Sequence, residues 1–141
     1  MVKTPTYDEC NCFALRQAAR YVTQLYERHM ATVGLTAAQF TILAKLNRLP
    51  GSTMQSLAEM MVMDRTTLVR ALKPLQRDGL IVTEASAQDA RSYVFSLSER
   101  GRAKFDLACD AWQAAQNEFE KGYGRERAKT LRTELFSISA A

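Results

Sequence analysis

The apolar positions change their period along the chain, and the changes mark out the elements. From about residue 9 to 33, Ala14, Ala18, Tyr21, Leu25 and His29 recur at helical spacing beside Leu15 and Val22, which predicts a long amphipathic helix. Gly34 ends it. Thr36 with Gln39 has capping-box form, and Phe40, Leu43, Ala44 and Leu46 carry a second helix to the break at Pro50-Gly51. Ser52 with Gln55 repeats the capping pattern and opens a short helix with Leu57, Ala58 and Met61 inside. Asp64 is placed to cap the next helix, whose inner face is Leu68, Leu72 and Leu75, and Asp78-Gly79 stops it. The period then drops to 2. Ile81 to Glu84 reads as a strand, Tyr93, Phe95 and Leu97 alternate with Val94 and Ser96, and the small polar stretch 85–91 reads as a hairpin loop. Helical spacing returns after Ser98 with Phe105, Ala108, Cys109, Trp112, Ala115 and Phe119. Gly122 and Gly124 interrupt it before a last segment with Ala128, Leu131, Leu135 and Ile138.

Two short helices joined by a tight turn and followed by a hairpin make a winged helix-turn-helix, so the expected class is mainly α (α+β). The expected organisation is an N-terminal dimerisation helix at 1–35, the winged helix-turn-helix at 36–97 and C-terminal dimerisation helices at 98–141. The terminal helices carry more apolar surface than one winged helix covers. A second copy of the chain is the simplest cover, hence a homodimer.

Composition narrows the class. The 141 residues suit one core with appended helices, and 47% hydrophobic with 24% charged residues is ordinary for a globular protein. Three prolines and six glycines are too few for a loop-rich chain. No apolar run approaches the ~20 residues of a membrane span. The first ten residues lack an apolar signal core, so export is not expected. Three cysteines with no framework spacing fit the cytoplasm. The one histidine, the lack of a Gly-rich phosphate loop and the lack of a nucleophile–base arrangement argue against an enzyme. No ligand cluster with metal spacing is visible, and no cofactor is expected.

The net charge of +4 permits a polyanionic partner, and its placement says more than its sum. On a helical wheel, the face opposite Leu68, Leu72 and Leu75 carries Thr66, Arg70, Lys73 and Arg77, flanked by Thr67. No acidic residue lies between Arg65 and Arg77. Arginine can bond guanine through two parallel contacts, threonine can touch thymine or adenine edges, and the other cations suit phosphates. A solvated basic face is the plain alternative; the flanking capped helix and hairpin favour double-stranded DNA. Arg65 falls on the flank, suited to phosphate or a wing carboxylate, and Gln55 at the start of the preceding helix joins the DNA-facing set. Pro74 removes one helical hydrogen bond, predicting a mild kink or a tightened last turn, unless it is simply a tolerated surface proline.

These residues resemble the MarR family of regulators. The likeness runs through Gly34-Leu-Thr36 with Gln39-Phe40, Leu57-Ala58, Asp64-Arg-Thr-Thr67-Leu68, Leu75 with Asp78-Gly-Leu-Ile81, Asp89-Ala-Arg91 and Leu97-Ser-Glu-Arg-Gly101. The resemblance implies a triangular homodimer on a palindromic operator, with each recognition helix in a major groove and half-sites ~10 bp apart. It implies that Arg91 at the wing tip enters the minor groove. Asp89 would hold that arginine or brace the loop. Ala90 stands where the family often has a second arginine.

The start of the chain, Cys12-Phe-Ala-Leu15 with Leu25-Tyr26, also resembles the organic-hydroperoxide-sensing branch. That resemblance implies oxidation of Cys12, with Tyr26 of the partner subunit hydrogen-bonded to it and Cys10 available for a disulfide between subunits. Arg16 one turn away and the helix N-terminus both favour a reactive thiolate. Arg16 and Ala37 stand where that branch has tyrosines. The other reading of Cys12 is a small packing residue, and Cys109 reads as core. The family's second common input is a small aromatic acid or phenol, for which Arg16, Arg20, Tyr21, Tyr26 and His29 offer an aromatic and cationic lining. The expected function is a homodimeric, sequence-specific transcriptional regulator, a repressor released by an oxidant or a small aromatic ligand. The alternative is a winged-helix protein-interaction module or anti-regulator without operator binding.

Overall fold

The computed structural model describes residues 3–139, so the outermost positions of both terminal regions, 1–2 and 140–141, lie outside it. Six helices and one small sheet follow in the order α1 (Asn11–Met30), α2 (Ala37–Arg48), β1 (Ser52–Thr53), α3 (Met54–Met61), α4 (Arg65–Arg77), β2 (Ile81–Ala85), β3 (Tyr93–Leu97), α5 (Glu99–Tyr123) and α6 (Arg125–Ser139). This is the winged helix-turn-helix read from the sequence, with long helices at both ends.

The first helix is shorter than the periodicity suggested. A single 3-10 turn at Tyr7–Glu9 precedes it, and the Cys10 thiol caps α1 by accepting from the Phe13 amide at 3.4 Å. Another 3-10 turn, Ala31–Val33, closes it at Gly34, whose φ of 72° lets the Leu35 amide reach back to the Met30 carbonyl. Thr36 and Gln39 form the complete capping box of α2.

Ser52 is not the cap of α3. Thr53 is, its hydroxyl accepting from the Ser56 amide at 3.0 Å, while Ser52 pairs with Phe95 in a two-residue strand absent from the sequence reading. Side-chain alternation cannot register over two residues; the strand exists because β3 offers it an edge. The sheet order is β1-β3-β2, antiparallel throughout, with Ile81 opposite Leu97 and Ala85 opposite Tyr93.

One core joins the winged helix to its flanks. Leu57, Leu68, Leu72 and Leu75 pack with Ile42, Leu43 and Leu46 of α2 and with Phe95 of the sheet. Met30 of α1 and Ala108 of α5 belong to the same interior, and Phe105 stacks on Phe40 with centroids 5.5 Å apart. The regions drawn as 1–35, 36–97 and 98–141 therefore share buried contacts.

Beyond that core the terminal helices are thinly covered. Every residue of α1 from Asn11 to Arg20 is exposed, Phe13 and Leu15 included. At the other end Leu135, Phe136 and Ile138 stand in solvent. Among the described residues no helix is long and apolar enough to cross a membrane.

Candidate nucleic-acid interface

The recognition helix starts where the sequence placed it. The Asp64 carboxylate accepts the Thr67 amide at 2.8 Å, and that bond, followed by the one from the Thr67 hydroxyl, holds its pKa below the ordinary aspartate value. The Thr67 hydroxyl is thus engaged in the cap. Leu68, Leu72 and Leu75 are fully buried. With those three fixed inward, the 3.6-residue period leaves Arg65, Thr66, Arg70, Lys73 and Arg77 exposed.

Helix α4 continues through Pro74 to Arg77. The Gly79 amide then bonds the Gln76 carbonyl at 3.1 Å and the Leu80 amide bonds the Leu75 carbonyl at 2.9 Å. These are the two bonds of a left-handed helix stop, and Gly79 has φ 70° to make them. Arg77 leans on Asp78 at 3.3 Å. Among the described residues Arg65, Arg70, Lys73 and Arg91 make no intramolecular ion pair.

The wing is braced from within. Asp89 accepts the Arg91 amide at 3.0 Å and the Ser92 hydroxyl at 3.4 Å, while the Ser86 amide bonds the Ser92 carbonyl at 2.9 Å. Of the two roles the resemblance implied for Asp89, the geometry displays the loop brace, and the exposed Arg91 guanidinium stays uncommitted. Gln76 bonds Thr83 at 3.2 Å and so ties the recognition helix to the wing strand. Gln55 is exposed on α3 and bonds Glu59 at 3.3 Å.

The sensor candidates are scattered in the single chain. Cys10 and Cys12 are exposed at the start of α1, and Cys109 is half-buried, its thiol pKa raised by burial. Tyr26 donates to Gln116 of α5, and burial, followed by the charge of Glu120, raises its pKa. His29 lies 3.3 Å from Glu118, which Arg28 also holds at 2.7 Å. Tyr21 faces a groove of about 750 Å³ between α1, α5 and α6, lined also by Leu25, Phe119, Tyr123 and Leu131. Arg16 and Arg20 are exposed on α1 and line neither that groove nor the cleft described next.

A cleft of about 350 Å³ was not foreseen as a unit. Tyr26, Phe40 and Trp112 supply its aromatic wall and Lys45 and Arg48 its cationic rim. Of these, only Tyr26 stood out in the sequence as a site residue, because Phe40, Lys45 and Arg48 come from α2 and Trp112 from α5, and no spacing links those helices to α1. Among the described residues no group of three or more His, Cys, Asp or Glu is arranged to hold a metal.

Known proteins share this arrangement. The family model described as MarR family matches residues 35–93. An organic hydroperoxide resistance transcriptional regulator of Bacillus subtilis (strain 168) is 30% identical over 99 residues, which are 70% of this chain and 67% of that protein. The M. tuberculosis transcriptional regulator MosR, solved in complex with DNA, is 36% identical with a TM-score of 0.81, covering 93% of this chain and 94% of that one. The transcriptional repressor CouR bound to a 23-mer DNA duplex is 28% identical with a TM-score of 0.87, covering 99% of both chains. In a structure with p-coumaroyl-CoA, CouR matches at 26% identity and a TM-score of 0.85, covering 99% of this chain and 98% of that one.

Proposed function

This chain belongs to the MarR family, and on that premise we propose that it is a homodimeric, sequence-specific DNA-binding transcriptional repressor of the cytoplasm and not an enzyme. The observation that carries the reading is the solvent face of α4. Among the described residues Arg70 and Lys73 stand exposed there without an intramolecular ion pair, on a helix capped by Asp64 and tied to the wing through Gln76. Cations left unpaired on such a helix are ready for phosphates and guanine edges. Thr66, Thr67 and Arg70 would meet the major groove and Arg91 the minor groove. Arg65, Lys73, Arg77 and Gln55 would hold the backbone, and Asp89 would keep the wing in shape. A second copy would cover the exposed apolar residues of α1 and α6 and set the half-site spacing.

Two inputs are supported by separate observations. The exposed Cys10 and Cys12 favour oxidant control, in line with the hydroperoxide-resistance regulator among the relatives. The aromatic cleft with its Lys45 and Arg48 rim favours a small aromatic anion. Either would release DNA by shifting the helices that hold the two recognition helices in register.

The test is selection of duplexes from a random library, followed by binding measurements with Arg70→Ala and Arg91→Ala. Enrichment of a palindrome, with both variants weakened, is expected. Failure to enrich any duplex would leave the protein-interaction reading in its place.

A further inference from the structure

Six methionines occur in the chain, and four of them, Met54, Met60, Met61 and Met63, fall in α3 and its turn into α4. Each packs against the hydrophobic core while remaining partly exposed. Met30 by contrast is fully buried, and α4 meets the same core through leucines that are also fully buried. Partly exposed methionine thus lines the α3 side of the helix-turn-helix, where α4 presents only fully buried leucine to the core.

The backbone of that turn works against its own preference. Val62 has φ 51°, the left-handed region that β-branched residues avoid. It is held by the Met63 amide on the Ala58 carbonyl at 2.9 Å and by its own amide on the Glu59 carbonyl at 3.2 Å. Val62 is 76% exposed, so burial at the turn comes from its neighbours Met61 and Met63.

We propose that Met54, Met60, Met61 and Met63 form an oxidation site that weakens DNA binding by loosening the turn between α3 and α4. The oxidant class is a hypohalous acid. With hypochlorous acid the thioether sulfur loses two electrons and gains an S–O bond, the O–Cl bond breaks, and chloride and a proton leave. The sulfoxide is a strong polar acceptor, and leaving it against an apolar core is unfavourable. The side chain turns out to water, the Met61 and Met63 packing on either side of Val62 is lost, the two backbone bonds that hold Val62 left-handed are left without that cover, and α4 is no longer aimed. This route is separate from Cys10 and Cys12, which lie at the start of α1, two helices earlier in the chain. Its effect on DNA rests on the DNA-binding reading; the oxidation and its effect on the turn do not.

The experiment uses the full chain carrying Cys10→Ser and Cys12→Ser, treated with limiting hypochlorous acid. Peptide mass spectrometry locates added oxygen, hydrogen exchange follows residues 54–67, and anisotropy follows a duplex selected by the untreated protein. Oxygen is expected on the four methionines before Met30, with faster exchange in 54–67 and binding weakened roughly tenfold or more. Methionine sulfoxide reductases should restore both and dithiothreitol should restore neither. A chain with all four replaced, Met54→Leu/Met60→Leu/Met61→Leu/Met63→Leu, should resist the treatment, and the reductase reversal decides the matter if that chain does not fold. Oxidised methionines with unchanged exchange and affinity would overturn the proposal, as would equal loss in a folded leucine chain. If the untreated protein selects no duplex, the DNA-binding reading fails, and the exchange data still decide whether the turn responds to oxidation.

Discussion

Gly101, in the first turn of α5, rests directly on the backbone of Leu80. A methyl group built on it would lie 2.8 Å from the Leu80 carbonyl carbon and closer still to the oxygen. The approach is pinned from both sides: the Ser98 amide bonds the Leu80 carbonyl at 3.1 Å and the Ser98 hydroxyl bonds the Gly79 carbonyl at 2.6 Å. Leu80 directly follows the stop of α4, so the start of α5 is held against the end of the recognition helix. Gly101→Ala should force backbone apart and lower stability by about 3 kcal/mol, read from the urea midpoint. A wild-type midpoint would show that the two segments part easily.

Val62 is the reverse case. Its left-handed backbone costs a β-branched residue on the order of 1–2 kcal/mol, part of which glycine returns as extra freedom in the unfolded chain. Val62→Gly should therefore stabilise by roughly 0.5–1 kcal/mol. Gly79→Ala, at φ 70°, should destabilise by a similar amount. Thermal melts of the two variants should move in opposite directions.

Asp64 gives a pH dependence with a definite sign. Its folded pKa lies below the unfolded one, first because of the Thr67 amide. Its stabilisation is therefore complete above the ordinary aspartate pKa of about 3.9 and fades as pH falls through the lower folded value. Asp64→Asn keeps a competent cap that does not titrate. Denaturation from neutral pH downward should show wild type losing stability relative to this variant only in the acidic range. Parallel curves would place the titration elsewhere.

The cations of α4 should separate by salt. Lys73→Ala should weaken binding to every selected duplex alike and lower the slope of log K against log salt by about one. Arg70→Ala should instead change which duplexes are preferred, costing about 1–3 kcal/mol on the best one. Equal effects of both on specificity would show that neither reads bases.

Phe136, 70% exposed on α6, should report the assembly. In the homodimer proposed above, Phe136→Glu removes no contact of the single chain's core, so helicity should hold while light scattering shifts from dimer to monomer. Affinity for a two-half-site duplex should then drop, by roughly 100-fold. An unchanged mass would place the interface elsewhere.

The elements that could be read along the chain are those whose cause lies within a few residues. Thr36, Asp64 and Ser98 each cap a helix by bonding an amide three positions on, and each was legible for that reason. The buried leucines of α4 were legible from their period, and with them the basic face opposite. Ser52 misled because Thr53 beside it is as good a cap, and the choice was made by Phe95, far along the chain. Tyr26 was noticed as a partner for a distant thiol, yet its hydroxyl meets Gln116, which no spacing links to it.

By itself, then, the sequence determined the caps at Thr36, Asp64 and Ser98, the stops at Gly34 and Gly79, which face of α4 turns inward, and that a hairpin follows. Those depend on local hydrogen bonds and on periodicity, both of which a linear chain displays. Only the tertiary structure decided that β1 exists, that Tyr26, Phe40 and Trp112 enclose a cleft, and that Gly101 must be glycine. Each of these depends on two segments meeting through space, and the distance between them is set by the packing of the whole core.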